Sequence, residues 1–369
     1  MMKNNFLAFK AVWRFVRAVV FGGAVCSLLG FVFACVAQAS PTPANQKPLQ
    51  IYFVDVEGGQ STLFVTPAGK SLLIDTGWPG NEDRDANRIV AAAKLAGITR
   101  IDFVLLTHYH EDHTGGVPQL AAKIPIGTFI DHGVNREPTD APTDQAWKAY
   151  QALLAKGHYK RIIAKPGEEL SIAGIEAKVV SADGDLIKKP LSGGDAPNPS
   201  CKAIPEPPAD NTENVRSLGV VITFGKLRIL DLGDLTKDKE WQLMCPVNRL
   251  GKIDIYVVSH HGWFHSNSPI FLDGIAPRVA IMDNGADKGG SPAAWDAIEK
   301  SPRLEDLWQL HFSNEGKVEH NVADSYIANL SVEANDGNYI KLTAWPDGKF
   351  DVYNARTKAT KDYAAGPSQ

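Results

Sequence analysis

Three histidines and an aspartate lie within six residues of the sequence, in the segment 108–113 (HYHEDH). Imidazole nitrogens and carboxylate oxygens are the atoms that Zn²⁺ and similar divalent metals bind in proteins. The segment directly follows an apolar run at 101–107, which is typical of a strand, so alternate side chains beyond the strand end can point into one cavity. The expected ligands of one metal are His108 and His110, and those of a second metal are Asp112 and His113.

Two later groups stand at strand ends in the same way. Residues 227–232 form an apolar run that leads to Asp234, and residues 253–259 form another that leads to a histidine pair. A carboxylate between two cations is a natural bridge, and Asp234 is predicted to fill that role. His260 is expected to bind metal and His261 to donate to a substrate oxyanion, and the reverse assignment of the two stays open.

Hydrolysis is the chemistry expected of such a site. Zn²⁺ lowers the pKa of bound water to ~7, and two metals ~3.5–4 Å apart can hold the resulting hydroxide and polarise the substrate. Asp112 or Asp234 would orient that hydroxide. Asp75, which ends the apolar run 71–75, is expected to orient a ligand histidine. The substrate entrance is expected at Trp263, His265 and Ser266.

The N-terminus predicts export. Residues 1–17 carry four basic residues and no acid, residues 18–36 are almost wholly apolar, and residues 37–39 (AQA) match a cleavage site. We therefore expect a secretory signal over 1–39 and a periplasmic or secreted protein, with an uncleaved membrane anchor as the alternative. No further apolar span follows residue 40.

The net charge limits the kinds of molecule that the chain is expected to bind. The chain has 38 Lys and Arg against 42 Asp and Glu, and loss of the signal would leave 34 bases and a net charge of −8. Because negative charge repels polyanions, a long nucleic acid is not an expected partner, whereas a small-molecule substrate is expected.

Cys201 and Cys245 would remain after loss of the signal, either as one disulfide or as two thiols. Nothing in the composition determines the oligomeric state.

Strand-length apolar runs alternate with helical patterns at 85–97 and 142–156, which predicts a layered α/β fold. Near the C-terminus, Pro346-Asp347-Gly348 separates two further strand-like runs and predicts a hairpin. The expected division is a signal at 1–39, a flexible lead-in at 40–48, a hydrolase domain at 49–303 and a β-rich hairpin extension at 304–369, packed on or beside that domain.

The order of these motifs resembles the metallo-β-lactamase superfamily of metallo-hydrolases, across about residues 49–285. The matching motifs are Asp75 in LLIDTG, HxHxDHxGG at 108–116, Asp234 in LGDL and His260 in VSHHG. Within the superfamily the chain is similar to the metallo-hydrolase domain of bacterial DNA-uptake proteins, through 54–60 (VDVEGGQ), 214–218 (NVRSL) and the His-His-Gly ending. The resemblance implies a four-layer αββα sandwich with the metals at one edge between the sheets.

One departure from the superfamily concerns the first metal. Most members supply it with another histidine from the loop before the Asp234 strand, but residues 181–216 contain no histidine. Asn214 lies in the segment that the DNA-uptake subgroup carries there and is the expected replacement, with His132 as the alternative. Two divalent ions are expected, with Zn²⁺ as the expected metal and Mn²⁺ as the alternative. Because asparagine is a neutral and weaker ligand, one tightly bound and one loosely bound ion is the other expectation.

The resemblance implies a secreted metal-dependent phosphodiesterase that acts on a small substrate. Hydrolysis of a lactam, lactone or thioester is one alternative, and a non-catalytic metal-holding domain that binds a cell-surface ligand is another. The complete ligand set argues against the non-catalytic domain. DNA uptake itself is not expected, because no membrane spans of a transport channel follow residue 40.

Overall fold

The computed structural model describes residues 47–157, 159–331 and 336–366. The secretory signal expected at 1–39 and most of the lead-in expected at 40–48 lie outside these residues. In the part of the chain that is described, no helix combines the length and apolar character needed to cross a bilayer.

The described residues form strands and helices in a mixed order. The strands are β1 (Leu49–Phe53), β2 (Thr62–Val65), β3 (Ser71–Ile74), β4 (Ile101–Leu105), β5 (Ile126–Asp131), β6 (Lys160–Ile163), β7 (Glu169–Leu170), β8 (Glu176–Ala182), β9 (Asp185–Leu186), β10 (Ala196–Pro197), β11 (Gly219–Phe224), β12 (Leu227–Asp231), β13 (Val247–Asn248), β14 (Ile255–Val257), β15 (Val279–Met282), β16 (Asp306–His311), β17 (Ile327–Asn329), β18 (Ile340–Ala344), β19 (Phe350–Asn354) and β20 (Thr360–Tyr363). The α-helices are α1 (Arg84–Leu95), α2 (Glu111–Thr114), α3 (Val117–Lys123), α4 (Ala141–Leu154), α5 (Lys237–Met244), α6 (Pro269–Ile275) and α7 (Pro292–Glu299). The helices expected at 85–97 and 142–156 are α1 and α4.

Within the described residues the strands form two nine-stranded sheets and a small pair of β10 with β13. The first sheet has the order β20-β19-β18-β1-β2-β3-β4-β5-β6, and the second has β17-β16-β15-β14-β12-β11-β8-β7 with β9 beside β8. Strands β3 to β6 are parallel, as are β12 and β14 to β17. A parallel pair needs a crossover, which α1 supplies between β3 and β4 and α6 between β14 and β15.

Side chains that alternate along the strands build three apolar cores. In β1, Ile51 and Phe53 belong to the core between the two sheets, whereas Tyr52 belongs to a core that α1 and α4 complete on the outer face of the first sheet. Leu243 of α5 and Phe271 of α6 belong to a third core, on the outer face of the second sheet. The layers are therefore helix, sheet, sheet and helix, and the expected αββα sandwich is confirmed.

The C-terminal segment 304–369 contributes strands to both sheets. β16 and β17 extend the second sheet, whereas β18, β19 and β20 continue the first sheet beyond β1. The turn at 346–348 joins β18 to β19 in antiparallel register, with Ala344 opposite Phe350. β18 also pairs with β1, where Leu342 lies opposite Ile51. This pairing places the last strands of the chain next to the first one.

Cys201 and Cys245 are joined in a disulfide that spans 44 residues of sequence. It links the long loop after β10 to the residue that follows α5. Of the two alternatives for these cysteines, the structure contains the bridge rather than two separate thiols.

Candidate metal centre

The histidine-rich segment turns inward directly after β4. His108 and His110 occupy the extended stretch between β4 and the single-turn helix α2. The hydroxyl of Thr114 donates to the carbonyl of His108 at 2.7 Å and closes the turn. Below it, a Cβ added to Gly116 would lie 2.1 Å from the carbonyl oxygen of Thr76, so only glycine fits this close approach of two backbones.

Four buried donors converge at the edge where the two sheets meet. The four are Asp112, His113, Asp234 and His261, whose ligand atoms all lie within 4.8 Å of one another. The Nε2 atom of His261 is 3.2 Å from Oδ2 of Asp112 and 3.2 Å from Nε2 of His113. The Nε2 atom of His113 lies 3.3 Å from Oδ1 of Asp234. Two imidazoles and two carboxylates at this spacing fit a divalent cation.

A second set of donors adjoins the first one. The Nε2 atom of His108 lies 3.1 Å from Nδ1 of His110 and 3.9 Å from Oδ2 of Asp234. Asp234 thus faces His113 with one carboxylate oxygen and His108 with the other. A carboxylate placed between two donor sets in this way can bridge two cations. The His108 and His110 donors therefore adjoin the four-donor group through Asp234.

Asn214 and His132 differ in how their side chains are engaged. Asn214 lies in the 3₁₀ helix Glu213–Arg216, and its amide oxygen is buried without a hydrogen-bond partner among the described residues. A buried polar atom left without a partner is costly, and a metal ion would satisfy it. His132 instead holds its Nε2 atom 3.1 Å from Oε2 of Glu213. The Nδ1 atom of His132 is likewise buried without a hydrogen-bond partner, so Asn214 and His132 both remain candidates for the first set.

The adjacent histidines leave their turn in different directions. His260 and His261 have positive φ values of 55° and 54°, and their ring centroids are 6.2 Å apart. His261 belongs to the four-donor group with Asp112. The Nε2 atom of His260 instead lies 3.4 Å from Oδ2 of Asp234, and its Nδ1 atom lies 3.4 Å from the hydroxyl of Ser266. The geometry thus favours the reverse of the expected assignment, with His261 as the ligand.

Carboxylates stand behind three of the histidines. The structure places Oδ2 of Asp75 2.7 Å from Nδ1 of His113, and Asp75 also accepts from the backbone and hydroxyl of Thr107. Asp283, which directly follows β15, has Oδ1 3.5 Å from Nδ1 of His261. The hydrogen-bonded carboxylate of Asp75 can fix the ring orientation of His113, whereas Asp283 and His261 are within ion-pair distance without forming a hydrogen bond.

The third of these carboxylates is Glu137, whose Oε2 atom lies 3.2 Å from Nε2 of His110. Sequence reasoning did not single out Glu137 or Asp283. Asp283 did carry a usable signal, because it ends the apolar run 277–283 just as Asp75 ends its own run. Glu137 lies in a polar loop with no comparable pattern.

The charges of the site are strongly coupled. Burial lowers the pKa of His113, but the nearby carboxylates, Asp234 foremost, outweigh it and raise that pKa well above the ordinary value. Burial likewise lowers the pKa of His261, and Asp234 raises it to about 10. His260 lacks comparable compensation, so burial brings its pKa down to about 4. Two histidines that hold charge beside carboxylates mark a site that binds positive charge.

The carboxylates respond in the opposite sense. Burial raises the pKa of Asp112, but the ammonium of Lys288 and then His113 hold it well below its usual range. Burial also raises the pKa of Asp234, which His113 and the later histidines lower well below the ordinary value. Both groups are therefore carboxylates at neutral pH, which is the form that binds metal.

Aromatic rings flank His260 on the outer side of the centre. Trp263 and His265 are stacked, with centroids 5.4 Å apart and an interplanar angle of 18°. Their centroids lie 5.4 and 5.9 Å from that of His260. Ser266, which was expected beside them, is buried, and its hydroxyl donates to the carbonyl of Leu235 at 2.7 Å. Ser266 therefore supports the turn rather than lining an opening.

Asp55, Glu57 and His311 form a further group of possible metal-binding side chains. The Nε2 atom of His311 lies 2.7 Å from Oδ1 of Asp55. The guanidinium of Arg88 pairs with Asp55 at 2.9 Å and with Glu57 at 3.1 Å. Since Arg88 pairs with both carboxylates and His311 contacts Asp55, this group is an ion-pair network that ties the loop after β1 to α1 and β16.

Comparison with known proteins places the chain in a family context. The family model described as the metallo-beta-lactamase superfamily matches residues 55–243, which is just over half of the chain. This range includes the first histidine cluster, Asn214 and Asp234. The histidine pair after β14 lies beyond it.

Two curated relatives are similar to the chain at low identity. ComE operon protein 3 of Bacillus subtilis (strain 168) is 23% identical over 285 residues, which cover 73% of this chain and 32% of the relative. Recombination protein 2 of Haemophilus influenzae is 24% identical over 262 residues, covering 70% of this chain and 27% of the relative. The chain thus spans about a third or less of the length of these relatives.

Among solved structures, the metallo-beta-lactamase fold protein YhfI from Bacillus subtilis is similar at 14% identity with a TM-score of 0.41. The match covers 71% of this chain and 95% of that protein.

Proposed function

The chain belongs to the metallo-beta-lactamase superfamily of metal-dependent hydrolases, and from this premise we propose that it is an exported dinuclear phosphodiesterase with a small substrate. One observation carries the proposal. Asp112, His113, Asp234 and His261 offer four buried donor atoms within 4.8 Å of one another, and Asp234 also faces His108 in a second set.

The donors divide into two ion sites. His108, His110 and Asn214 would hold one ion, Asp112, His113 and His261 would hold the other, and Asp234 would be available to both. Zn²⁺ suits this mixture of imidazole and carboxylate, and Mn²⁺ is the alternative. When bound, such ions supply a nucleophile at neutral pH and stabilise the charge that develops on the reacting group.

The protein's own side chains orient these ligands. Asp75 holds His113 through a 2.7 Å contact to Nδ1, which leaves Nε2 directed at the centre. Glu137 holds Nε2 of His110, which leaves Nδ1 directed at His108. His110 and His113 therefore each have one nitrogen held by a carboxylate and the other facing the donor set, whereas Nδ1 of His108 lies 3.1 Å from the hydroxyl of Thr107. Such a preorganised site loses little free energy to reorganisation when substrate binds.

Charge argues for a small substrate. The net charge of −8 expected after loss of residues 1–39 disfavours a long polyanion. The competence-protein relatives are much longer than this chain, so their whole-protein roles are not carried over. Export is supported by the Cys201–Cys245 bridge, because disulfides persist in oxidising compartments.

The test is metal-dependent turnover. The purified protein is stripped of metal, reloaded with Zn²⁺ or Mn²⁺ and assayed with bis(p-nitrophenyl) phosphate, a chromogenic lactam and a lactone. We expect hydrolysis of the phosphodiester only after reloading, and no hydrolysis by Asp112→Ala. Turnover of the lactam or lactone without turnover of the phosphodiester would overturn the phosphodiesterase proposal and leave the hydrolase family unchanged.

A further inference from the structure

A lysine reaches the metal centre from a loop that the ligand motifs do not include. The ammonium of Lys288 is in direct contact with Oδ2 of Asp112 and lies 4.7 Å from the centroid of the Trp78 ring. The side chain of Lys288 keeps 26% of its surface exposed, whereas that of Asp112 is almost fully buried. Lys288 therefore stands between the buried donor Asp112 and solvent.

We propose that Lys288, held over Trp78, forms an anion subsite that takes the phosphate group of the substrate beside the metal centre. This inference rests on the proposed function, because it names the charge class of the molecule taken at the same site. Trp78 steers the ammonium, since a cation over an indole face is attracted by the ring.

The loop that carries Lys288 is fixed by close backbone contacts. The amide of Gly285 donates to the carbonyl of Lys288 at 2.8 Å, and the amide of Gly290 donates to the carbonyl of His261 at 2.9 Å. Gly289 has a φ of 82°, and a Cβ added to it would lie 2.1 Å from the carbonyl oxygen of His261. The loop and the ligand His261 are thus packed as one unit, which places Lys288 reproducibly.

Charge balance determines which ligand the lysine suits. Two divalent ions would bring four positive charges, against which Asp112 and Asp234 offer two negative ones. A carboxylate that binds a metal ion has less charge left for Lys288, so the ammonium then needs another anion. A phosphodiester supplies that negative charge, whereas an uncharged lactone does not. The subsite therefore distinguishes anionic from neutral substrates, which the metal ligands alone do not.

Direct phosphate binding tests the subsite without relying on turnover. Inorganic phosphate is titrated into the full-length Zn²⁺-loaded protein by calorimetry, for the wild type, Lys288→Met and Lys288→Arg. Lys94→Met is the matched control, because Lys94 is exposed on α1. Metal content and thermal unfolding are measured for every sample, and Lys288→Gln replaces the methionine variant if that variant does not fold or load.

We expect Lys288→Met to weaken phosphate binding by about 10- to 100-fold, the loss typical of a hydrogen bond to a charged group. The same variant should also have a higher KM for bis(p-nitrophenyl) phosphate. Lys288→Arg should retain most of the phosphate affinity, and Lys94→Met should retain all of it. Equal phosphate affinity in wild type and Lys288→Met, or no phosphate binding by the wild type, would overturn the subsite and leave Lys288 as a salt-bridge partner of Asp112.

The two proposals fail in different ways. Phosphate binding that depends on Lys288, without any phosphodiester turnover by the wild type, would retain the subsite and refute the phosphodiesterase. Turnover with unchanged KM and phosphate affinity in Lys288→Met would retain the phosphodiesterase and refute the subsite.

Discussion

The two sheets build their halves of the candidate centre in different ways. The first sheet supplies a ligand segment, residues 108–113, in which three histidines and Asp112 follow one strand. The second sheet supplies a ligand set from separate strand ends: Asp234 after β12, the pair His260 and His261 after β14, and Asp283 after β15. The ligand segment is held by local turns, whereas the ligand set depends on the pairing of parallel strands.

The two halves differ in which contacts maintain the geometry of their ligands when a residue is substituted. A turn such as that of His108, closed by Thr114 at 2.7 Å, keeps its geometry through contacts between residues close in sequence. The ligand set instead keeps its geometry through register, for example the pairing of Ile229 with Ile255 and of Ile255 with Val279. Substitutions at matched positions in the two halves can therefore show which half limits metal binding.

The largest effect is expected from the ligand segment itself. Asp112→Ala removes one of the four close donors and should reduce hydrolysis to the background rate, with bound metal falling from two ions towards one. The fold should persist, because the apolar cores do not include this side chain. Metal analysis, circular dichroism and turnover check the prediction. Glu111→Ala is the matched control on the same turn, and full turnover by Asp112→Ala would refute the site.

The next effect separates the two adjacent histidines of the ligand set. His261→Ala should lose metal and at least about 100-fold in activity, since it removes a ligand from the four-donor group, whereas loss of a supporting partner costs about 10- to 100-fold. His260→Ala should fall within the supporting range. Metal titration and turnover of both variants measure this. A greater loss in His260→Ala would restore the assignment first expected from the sequence.

A smaller effect compares the supporting carboxylates of the two halves. Asp75→Asn and Asp283→Asn keep the side-chain shape and remove the charge, and each should weaken metal binding by about 10- to 100-fold. The loss should be greater for Asp75, because its oxygen lies 2.7 Å from the imidazole of His113, whereas Asp283 lies 3.5 Å from that of His261. Competition with a chromogenic chelator gives the affinities. A greater loss for Asp283→Asn would mean that metal binding by the second sheet depends more on its supporting carboxylate than metal binding by the first sheet does.

The smallest expected effect is the pH dependence of stability in the metal-free protein. The folded-state pKa of His261 is about 10, above the unfolded value of about 6.5. Its protonated form thus contributes stability that is complete below pH ~6.5 and is lost as pH rises towards ~10. We expect the thermal midpoint of metal-stripped protein to fall between pH 6.5 and 9.

Metal-loaded protein and metal-stripped His261→Ala are the two comparisons for that measurement. Both should show a smaller fall, because bound ions replace the proton in the first and the imidazole is missing in the second. Asp112 and Asp234 affect stability at acidic pH instead. Because their pKa values are lowered in the folded protein, their ionised forms contribute stability above pH ~3.8 that is lost as the pH falls further. Equal falls in all three samples would mean that His261 does not titrate as described.

Much of the fold was predictable because its signals are local. The helix expected at 85–97 and the turn at 346–348 each depend on patterns within about fifteen residues, and both are present as α1 and the β18–β19 hairpin. The pairing of β18 with β1 joins residues almost three hundred positions apart. No local pattern encodes such a partner, so the place of the C-terminal strands had to come from the structure.

The site shows the same division. The donor types in 108–113 and the strand-end positions of Asp75 and Asp234 were evident from residue order. The contacts of Lys288 with Asp112 and of Glu137 with His110 join different loops and carried no motif. Asp283 had a signal at the end of its apolar run, but its contact with His261 came only from the structure. Ser266 was expected at the entrance because it follows Trp263 in sequence, but the turn directs its hydroxyl to the carbonyl of Leu235.

The sequence alone shows which atoms of this chain can bind a metal, because residue type and spacing decide that. It also determined the layered α/β class, since hydrophobic periodicity is a local property. The folded structure is needed to show that His261, rather than His260, belongs to the four-donor group and that a lysine lies against Asp112. Those choices depend on where separate strand ends meet, and strand pairing across the fold, rather than residue order, sets that position.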